Sequence, residues 1–191
     1  FQFMGLTLPP WALYDCSIMP GLVVGFAMKT SELSSHSQLL NLVGPPSRRV
    51  LDLGCGQGLL SRALSQAGHR ITAVDFESPR VELEEFVQAD ISQGIPTPPE
   101  RKFDTVILAD VLEHLPDPTK ILKQAKERLA EGGQVLVSLP NAVHWSVRAQ
   151  ILAGRFEYSN RGILDRGHLR FFTKSSAERM FAEAGLVPRV H

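Results

Sequence analysis

The stretch RRVLDLGCGQGLLSRAL, residues 48–64, sets one acid, Asp52, and three glycines, Gly54, Gly56 and Gly58, between an apolar run and the opening turns of a helical pattern. Glycines at this density let a ligand lie directly against backbone, and their spacing discriminates among ligands. A dinucleotide-binding turn takes G-x-G-x-x-G, with the third glycine admitting the helix to the pyrophosphate; here that third position is Leu59. A phosphate-cradling P-loop requires Lys followed by Ser or Thr, and neither follows Gly58. The pattern present is D-x-G-x-G-x-G, followed about twenty residues later by Asp75, a carboxylate placed to accept both hydroxyls of a ribose. Asp52 adds negative charge where a dinucleotide phosphate would be repelled. A cationic, phosphate-free nucleoside is the ligand this turn implies.

Such residues need strands that end along one edge. From Arg49 onward, apolar runs alternate with helical periodicity, the pattern of repeated strand-helix units and a mostly parallel sheet. VLDL (residues 50–53), RITAVD (70–75), EEFVQAD (84–90), FDTVILAD (103–110), QVLVSLP (134–140) and LVPRV (186–190) read as strands. Leu59, Leu60, Ala63, Leu64 and Ala67 recur at helical spacing and Gly68 stops the run. Asp117 caps a helix with Pro118 at its first position, Ile121, Leu122, Ala125 and Leu129 on the sheet side, and EGG as its end. Thr173 opens a last helix with Ala177, Met180, Phe181 and Ala184 on one face and Gly185 as its stop. Only a short segment containing Pro79 joins the second strand to the third, so the crossover helix expected there is stunted or absent. The fold class is therefore α/β, Rossmann-like and doubly wound, with helices on both faces.

Composition narrows the function classes. With 191 residues, 43% of them hydrophobic and 21% charged, the chain supports one domain with a substantial core. Lys plus Arg and Asp plus Glu each number 20, so no global field steers the protein to nucleic acid or to an anionic membrane. Cys16 and Cys55 lie far apart without a C-x-x-C pair, which fits a reduced cytoplasmic protein and excludes a metal finger. Asp15, Pro20 and Gly21 interrupt the apolar N-terminal stretch, so neither a membrane span nor a signal peptide is expected. Phe1 to Phe3 precede Met4 and read as a tag remnant.

The ordered set VLDLGCGQG, VDF, QADI, FDTVILADVLEHL and LAEGGQVLVSLPN resembles the class I S-adenosylmethionine-dependent methyltransferases over residues 49–190, with features of the methionine-biosynthesis and ubiquinone-pathway O-methyltransferase-like group. The resemblance implies S-adenosylmethionine as cofactor and S-adenosylhomocysteine as product. It places the methionine end near Asp52, Gly54, Cys55, Gly56 and Gly58, and the ribose at Asp75. The adenine falls at Asp90 and Ile91 against a wall at Phe76, and the sulfonium side near Ala109 and Asp110. The family's antiparallel seventh strand would have to follow His191, so the final strand is expected to be missing and the native protein to be longer.

Methyl transfer to a hydroxyl needs alignment and removal of one proton, and histidine is the base suited to neutral pH. His114 follows the fourth strand, at the carboxyl edge where open parallel sheets bind ligands, and is the first candidate base; His144 is the second. His114 and Glu113 could equally be a helix-start hydrogen-bond pair. Through the resemblance to the ubiquinone-pathway enzymes, Asp110, Glu113 and His114 could instead hold a divalent cation, although no metal is assigned. Residues 141–172 form a substrate-side insertion whose Trp145, Arg148, Tyr158, His168 and Arg170 suit a polar acceptor, aromatic faces for stacking and arginines for carboxylate or phosphate. Ordinary core packing and a solvated arginine rim would produce the same composition.

The expected organisation is an N-terminal segment, 1–42, acting as a lid or a homodimer arm and carrying Trp11, Tyr14, Cys16 and Met19, followed by a methyltransferase domain at 43–191. The expected activity is O-methylation of a polar small molecule such as a sugar, natural product or metabolite. The alternatives are a non-catalytic methyltransferase-like partner subunit and an NAD(P)-dependent oxidoreductase.

Overall fold

A computed structural model describes residues 23–29 and 32–190. The strands are β1 (Val23–Lys29), β2 (Arg49–Leu53), β3 (Arg70–Asp75), β4 (Phe86–Gln88), β5 (Phe103–Ala109), β6 (Leu129–Pro140) and β7 (Val187–Val190). The helices are α1 (Glu32–Leu42), α2 (Leu59–Gln66), α3 (Pro118–Glu127), α4 (Trp145–Leu152) and α5 (Lys174–Glu183), and a 3-10 turn spans Leu112–His114. The strands form one sheet in the order β4-β3-β2-β5-β6-β1-β7, and every described pairing between them is parallel.

Successive residues of a strand face opposite sides, so a sheet covered on both faces must be apolar at consecutive positions. Val106 and Leu108 join a core with Ile121, Leu122 and Ala125 of α3 and Ala177, Met180 and Phe181 of α5. Ile107, between them, joins the opposite core with Leu39 of α1 and Leu60 and Leu64 of α2. This is the doubly wound α/β architecture expected from the alternation of elements.

Two details differ from the sequence expectation. The helix α3 ends at Glu127, and Leu129 opens β6 by pairing with Phe103; the EGG triplet lies inside that strand at a register irregularity, with Gly132 at φ 71°. The strand β1 and helix α1 come from the stretch assigned to a separate N-terminal segment, yet β1 sits between β6 and β7 and Leu39 is fully buried in the core. The sheet domain therefore begins before residue 43. Trp11, Tyr14, Cys16 and Met19 lie outside the described residues, as does the antiparallel strand expected beyond His191.

The short β3–β4 connection has no helix, in keeping with the brief Pro79-containing span between the two strands. Thr72 Oγ1 donates to Glu85 Oε2 (2.9 Å), and the Arg101 guanidinium pairs with both Glu85 oxygens. Gln88 Nε2 donates to the Phe76 carbonyl (3.0 Å). A polar clasp thus performs the connection usually made by packing a helix. Among the described residues, no helix is long and apolar enough to cross a membrane.

The loop after β4 is held by residues that sequence reading passed over. Arg128, only 5% exposed, donates from Nε to the Thr97 carbonyl (2.9 Å), from Nη1 to Gln124 O (2.9 Å) and from Nη2 to Ile95 O (3.0 Å). Gln124 Oε1 accepts from the Ile95 amide (2.9 Å). Replacing Arg128 by Met strands three carbonyls at the root of this loop. It is expected to lower unfolding free energy by about 2–4 kcal/mol in urea titrations, and a loss under about 0.5 kcal/mol would contradict this account.

Candidate functional site

The sheet reverses its winding between β2 and β5, and the crevice outside the carboxyl ends of these two strands is where open α/β sheets bind ligands. The turn leaving β2 lies there. Gly54, Gly56 and Gly58 have φ of 76°, 55° and 80°, in the left-handed region that side chains disfavour. They serve different ends. A Cβ on Gly54 would lie 2.5 Å from Val111 Cγ2, so this glycine permits the turn to pack on the residue after β5; a Cβ on Gly58 would meet Val81 Cγ2 at 2.8 Å. A Cβ on Gly56 would meet nothing within 4 Å. The bare backbone at Gly56 faces open space, as a ligand platform must.

Asp52 is 1% exposed and accepts a short hydrogen bond from Ser61 Oγ on the buried face of α2. Burial pushes its carboxyl up to about 6, against the opposing pull of the Ser61 bond and with the Asp75 charge adding to the rise. Cys55 follows the same logic: burial, then the charges of Asp52 and Asp75, push its thiol up to about 12, which leaves it protonated and unreactive at neutral pH. Asp75, at the end of β3, is 7% exposed and takes the amides of Gly56 on Oδ2 (2.7 Å) and Glu77 on Oδ1 (3.1 Å). Each oxygen retains a lone pair with which to receive a hydroxyl.

The remaining residues assigned to the nucleoside lie around this edge. Phe76 is 66% exposed beside Asp75. Asp90 is exposed and accepts the Ser92 amide on Oδ1 (2.9 Å); hydrogen bonding from Ser92 holds its carboxyl below the ordinary range. Ile91 is buried in the core. Ala109 ends β5, and Asp110 follows it at φ 54°, a conformation that costs a non-glycine residue energy and that clusters at ligand sites. The Asp110 amide donates to Ser138 Oγ (3.0 Å), and Ser138 Oγ donates to Asp110 Oδ1 (3.0 Å).

On the other side of the crevice, His114 and His168 meet edge to face with ring centroids 4.8 Å apart. His114 Nδ1 is 3.0 Å from Gly167 O and His168 Nδ1 is 3.0 Å from Ile163 O. A carbonyl can only accept, so each Nδ1 carries the hydrogen-bonding proton, and in the neutral form of either ring Nε2 is the acceptor. Burial pushes His168 below the usual imidazole range, against the opposing hydrogen bond to Ile163. Ligand atoms of Glu113, His114 and His168 lie within 4.8 Å of one another, an arrangement that could hold a cation. Asp110, expected in such a set, is not part of this one.

The other acceptor-side candidates separate. His144 caps α4, its Nδ1 bonded to Ser146 Oγ (2.8 Å), and stands outside the His114–His168 pair. Arg170 donates to the carbonyls of Leu115 and Pro116, fastening the insertion to the turn after β5. Trp145, 73% exposed, and Arg148 lie on α4. Tyr158 stacks edge to face with Phe156 (5.5 Å) and contacts Phe171 (6.4 Å), whose ring is 6.2 Å from His168. Phe171 was not singled out; its pattern in HLRFF reads as core, and only the chain's return to His114 puts it in the site. Ser61 had a signal, a hydroxyl between buried Leu60 and Leu64 on one helix face.

A family model described as a methyltransferase domain matches residues 30–189. A ubiquinone biosynthesis O-methyltransferase of Xanthomonas oryzae pv. oryzae is 32% identical over 160 residues, covering 78% of this chain and 64% of the relative. That of Xanthomonas euvesicatoria pv. vesicatoria is 35% identical over 125 residues, covering 60% of this chain and 51% of the relative. The chain thus spans between half and two-thirds of the length of these curated relatives. Among solved structures, a methyltransferase of Bacillus halodurans described as putative aligns with a TM-score of 0.62 at 23% identity, covering 80% of this chain and 68% of the other. A Burkholderia thailandensis 1,6-didemethyltoxoflavin-N1-methyltransferase with bound S-adenosylhomocysteine aligns with a TM-score of 0.55 at 24% identity, covering 78% and 64%. These two share the fold.

Asp52 provides a test of the site's electrostatics. Its folded-state carboxyl titrates above the ordinary value of 3.8, so the neutral form stabilises the fold at low pH, and that contribution is lost as pH rises through about 6. Asp52→Asn should exceed the wild type in stability by about 1–3 kcal/mol near pH 7.5 and match it near pH 4. Equal urea midpoints at both pH values would show that Asp52 is not the buried titrating group described.

Proposed function

The chain belongs to the methyltransferase-domain family, and we propose that it transfers the methyl group of S-adenosylmethionine to a hydroxyl of a polar small molecule. The residues present suit this cofactor. The Gly56 backbone faces open space, Asp52 and Asp75 supply negative charge and no phosphate cradle, and both acids lie at the crevice where the sheet reverses its winding. In this reading Asp52, Gly54, Cys55, Gly56 and Gly58 surround the methionine end, Asp75 takes the ribose, Phe76, Asp90 and Ile91 the adenine, and Ala109 with Asp110 the sulfonium side. Bound there, the cofactor would supply a methyl carbon activated by its sulfonium.

The chain's own task is then to align the acceptor and remove its proton. The observation that carries the assignment of His114 is the 3.0 Å contact of its Nδ1 with the Gly167 carbonyl, which can only accept and so leaves Nε2 of this exposed ring as the basic nitrogen. His168, uncharged at neutral pH and packed edge to face against it, fixes the ring and adds a second acceptor. Phe171, Tyr158 and Phe156 extend an aromatic wall from this pair along which an acceptor can lie. The relatives named as ubiquinone biosynthesis O-methyltransferases support oxygen as the accepting atom.

One observation favours a second reading of the same histidine: Glu113, His114 and His168 together offer one carboxylate and two imidazoles. That donor set suits a divalent transition ion, which would lower the acceptor hydroxyl's pKa in place of a base.

Two measurements separate these readings from each other and from the oxidoreductase alternative. In calorimetry, S-adenosylhomocysteine should bind the wild type and NADH should not, and Gly56→Val should abolish that binding while the protein stays folded; tight binding of NADH alone would overturn the cofactor assignment. His114→Ala should keep cofactor affinity and lower kcat by roughly a hundredfold. Chelation that reproduces the loss in the wild type, reversed by added divalent cation, would assign His114 to a metal; a rate within a few-fold of wild type would remove both roles.

A further inference from the structure

Beyond the aromatic wall lies an open cavity of about 500 Å³ between α4 and residues 155–164. Arg155 and Arg161 line it together with Ser146, Gln150 and Tyr158, and Glu157 is the one acid among its lining residues. Arginines with structural duties elsewhere in the fold have visible partners: Arg49 pairs with Asp104, Arg101 with Glu85, and Arg128 and Arg170 with backbone carbonyls. Among the described residues, the Arg155 and Arg161 guanidinium groups make no ion pair and no hydrogen bond. Two arginines lining one concavity, neither paired with its single acid Glu157, have the chemistry of an oxyanion grip.

The backbone that carries them is tied by hydrogen bonds. Ser159 Oγ donates to the Arg161 carbonyl (2.6 Å), the Ser159 amide to Leu164 O (2.9 Å) and the Arg166 amide to Ser159 O (3.1 Å), closing a tight loop with Arg161 at its tip. The Arg155 amide donates to Gln150 O (2.8 Å) at the end of α4. A grip whose backbone is already fixed loses less entropy on binding than one built on a floppy loop. Tyr158 belongs both to this cavity and to the aromatic wall that runs through Phe171 to His168 and His114.

We propose that this cavity is an oxyanion subsite in which Arg155 and Arg161 hold a carboxylate or phosphate group. As an anion site it stands on its own; as the far end of the acceptor site it rests on the methyl-transfer reading above. It then selects acceptors that carry a hydroxyl at one end, a flat or apolar body, and an acid at the other.

The test is calorimetry of the full chain at low ionic strength with two probes, inorganic pyrophosphate and malonate. Three proteins are compared: the wild type, Arg155→Gln/Arg161→Gln, and the charge-matched control Arg70→Gln/Arg179→Gln, whose two arginines are exposed on other parts of the sheet domain. At least one anion should bind the wild type and the control alike and bind the double variant about tenfold more weakly or worse. The tighter of the two probes tells phosphate from carboxylate. No binding of either probe, or equal binding by the double variant and the control, overturns the proposal. If the double variant fails to fold, Arg161→Gln alone should still lose affinity relative to Arg179→Gln, and equality there overturns it too. S-adenosylhomocysteine should bind all three proteins equally. Its failure to bind the wild type would count against the cofactor assignment and leave the anion result standing.

Discussion

The architecture depends on a close approach that only a missing side chain allows. Where β2 ends, the backbone at Gly54 comes so near Val111 that an added Cβ would overlap its methyl group. Val111 follows β5, the strand on the other side of the winding reversal, so this contact sets the width of the crevice. The sheet is buried on both faces, which disfavours charged groups anywhere except its edges and strand ends. The glycines, Asp52, Asp75 and Asp110 therefore collect at the carboxyl edge because the interior excludes them, and the Gly54–Val111 contact holds the two loops in register.

Each acid at that edge is supported differently, and the support decides its chemistry. Asp52 is held by one hydroxyl in a desolvated position and titrates high. Asp75 is tethered by two amides, one of them from the glycine turn itself, so the turn and the acid at the end of β3 form a single unit. Asp110 occupies a strained left-handed conformation stabilised by Ser138 on the neighbouring strand β6. Further out, the Arg128 guanidinium and the Gln124 amide tie the loop of Asp90 and Ile91 to the end of α3, and the Thr72–Glu85–Arg101 clasp replaces a crossover helix.

The His114–His168 cluster is assembled by chain return. The amides of Leu169 and Arg170 both donate to the Glu113 carbonyl (2.8 and 3.1 Å), the Arg170 side chain reaches the next carbonyls, and Asn141 bridges Phe172. These bonds bring Gly167 and His168 to His114 across more than fifty positions of sequence. The two histidines acquire defined tautomers from carbonyls at Gly167 and Ile163, groups that every residue possesses and that no composition distinguishes.

The sequence by itself determined the α/β class, the strands from β2 onward and the pattern of glycines and acids at their carboxyl edge, since glycine spacing, strand-end acids and apolar periodicity are local in the chain and each has few physical solutions. It also marked the helixless β3–β4 link, because Pro79 and the short span left no room for a helix. It misplaced the start of the domain, for β1 and α1 are recognisable only once β6 and β7 exist to flank them. It read Leu129 as helix because a buried leucine after α3 satisfies either period, and only the pairing with Phe103 decides between them. The tertiary structure alone decided which of several histidines and arginines share a site. It set Arg170 as a clamp and His144 as a cap, it brought His168 and Phe171 to His114, and it placed Arg155 and Arg161 along one cavity. A side chain's partner across a long loop is set by the return of the chain, and no spacing along the sequence records it.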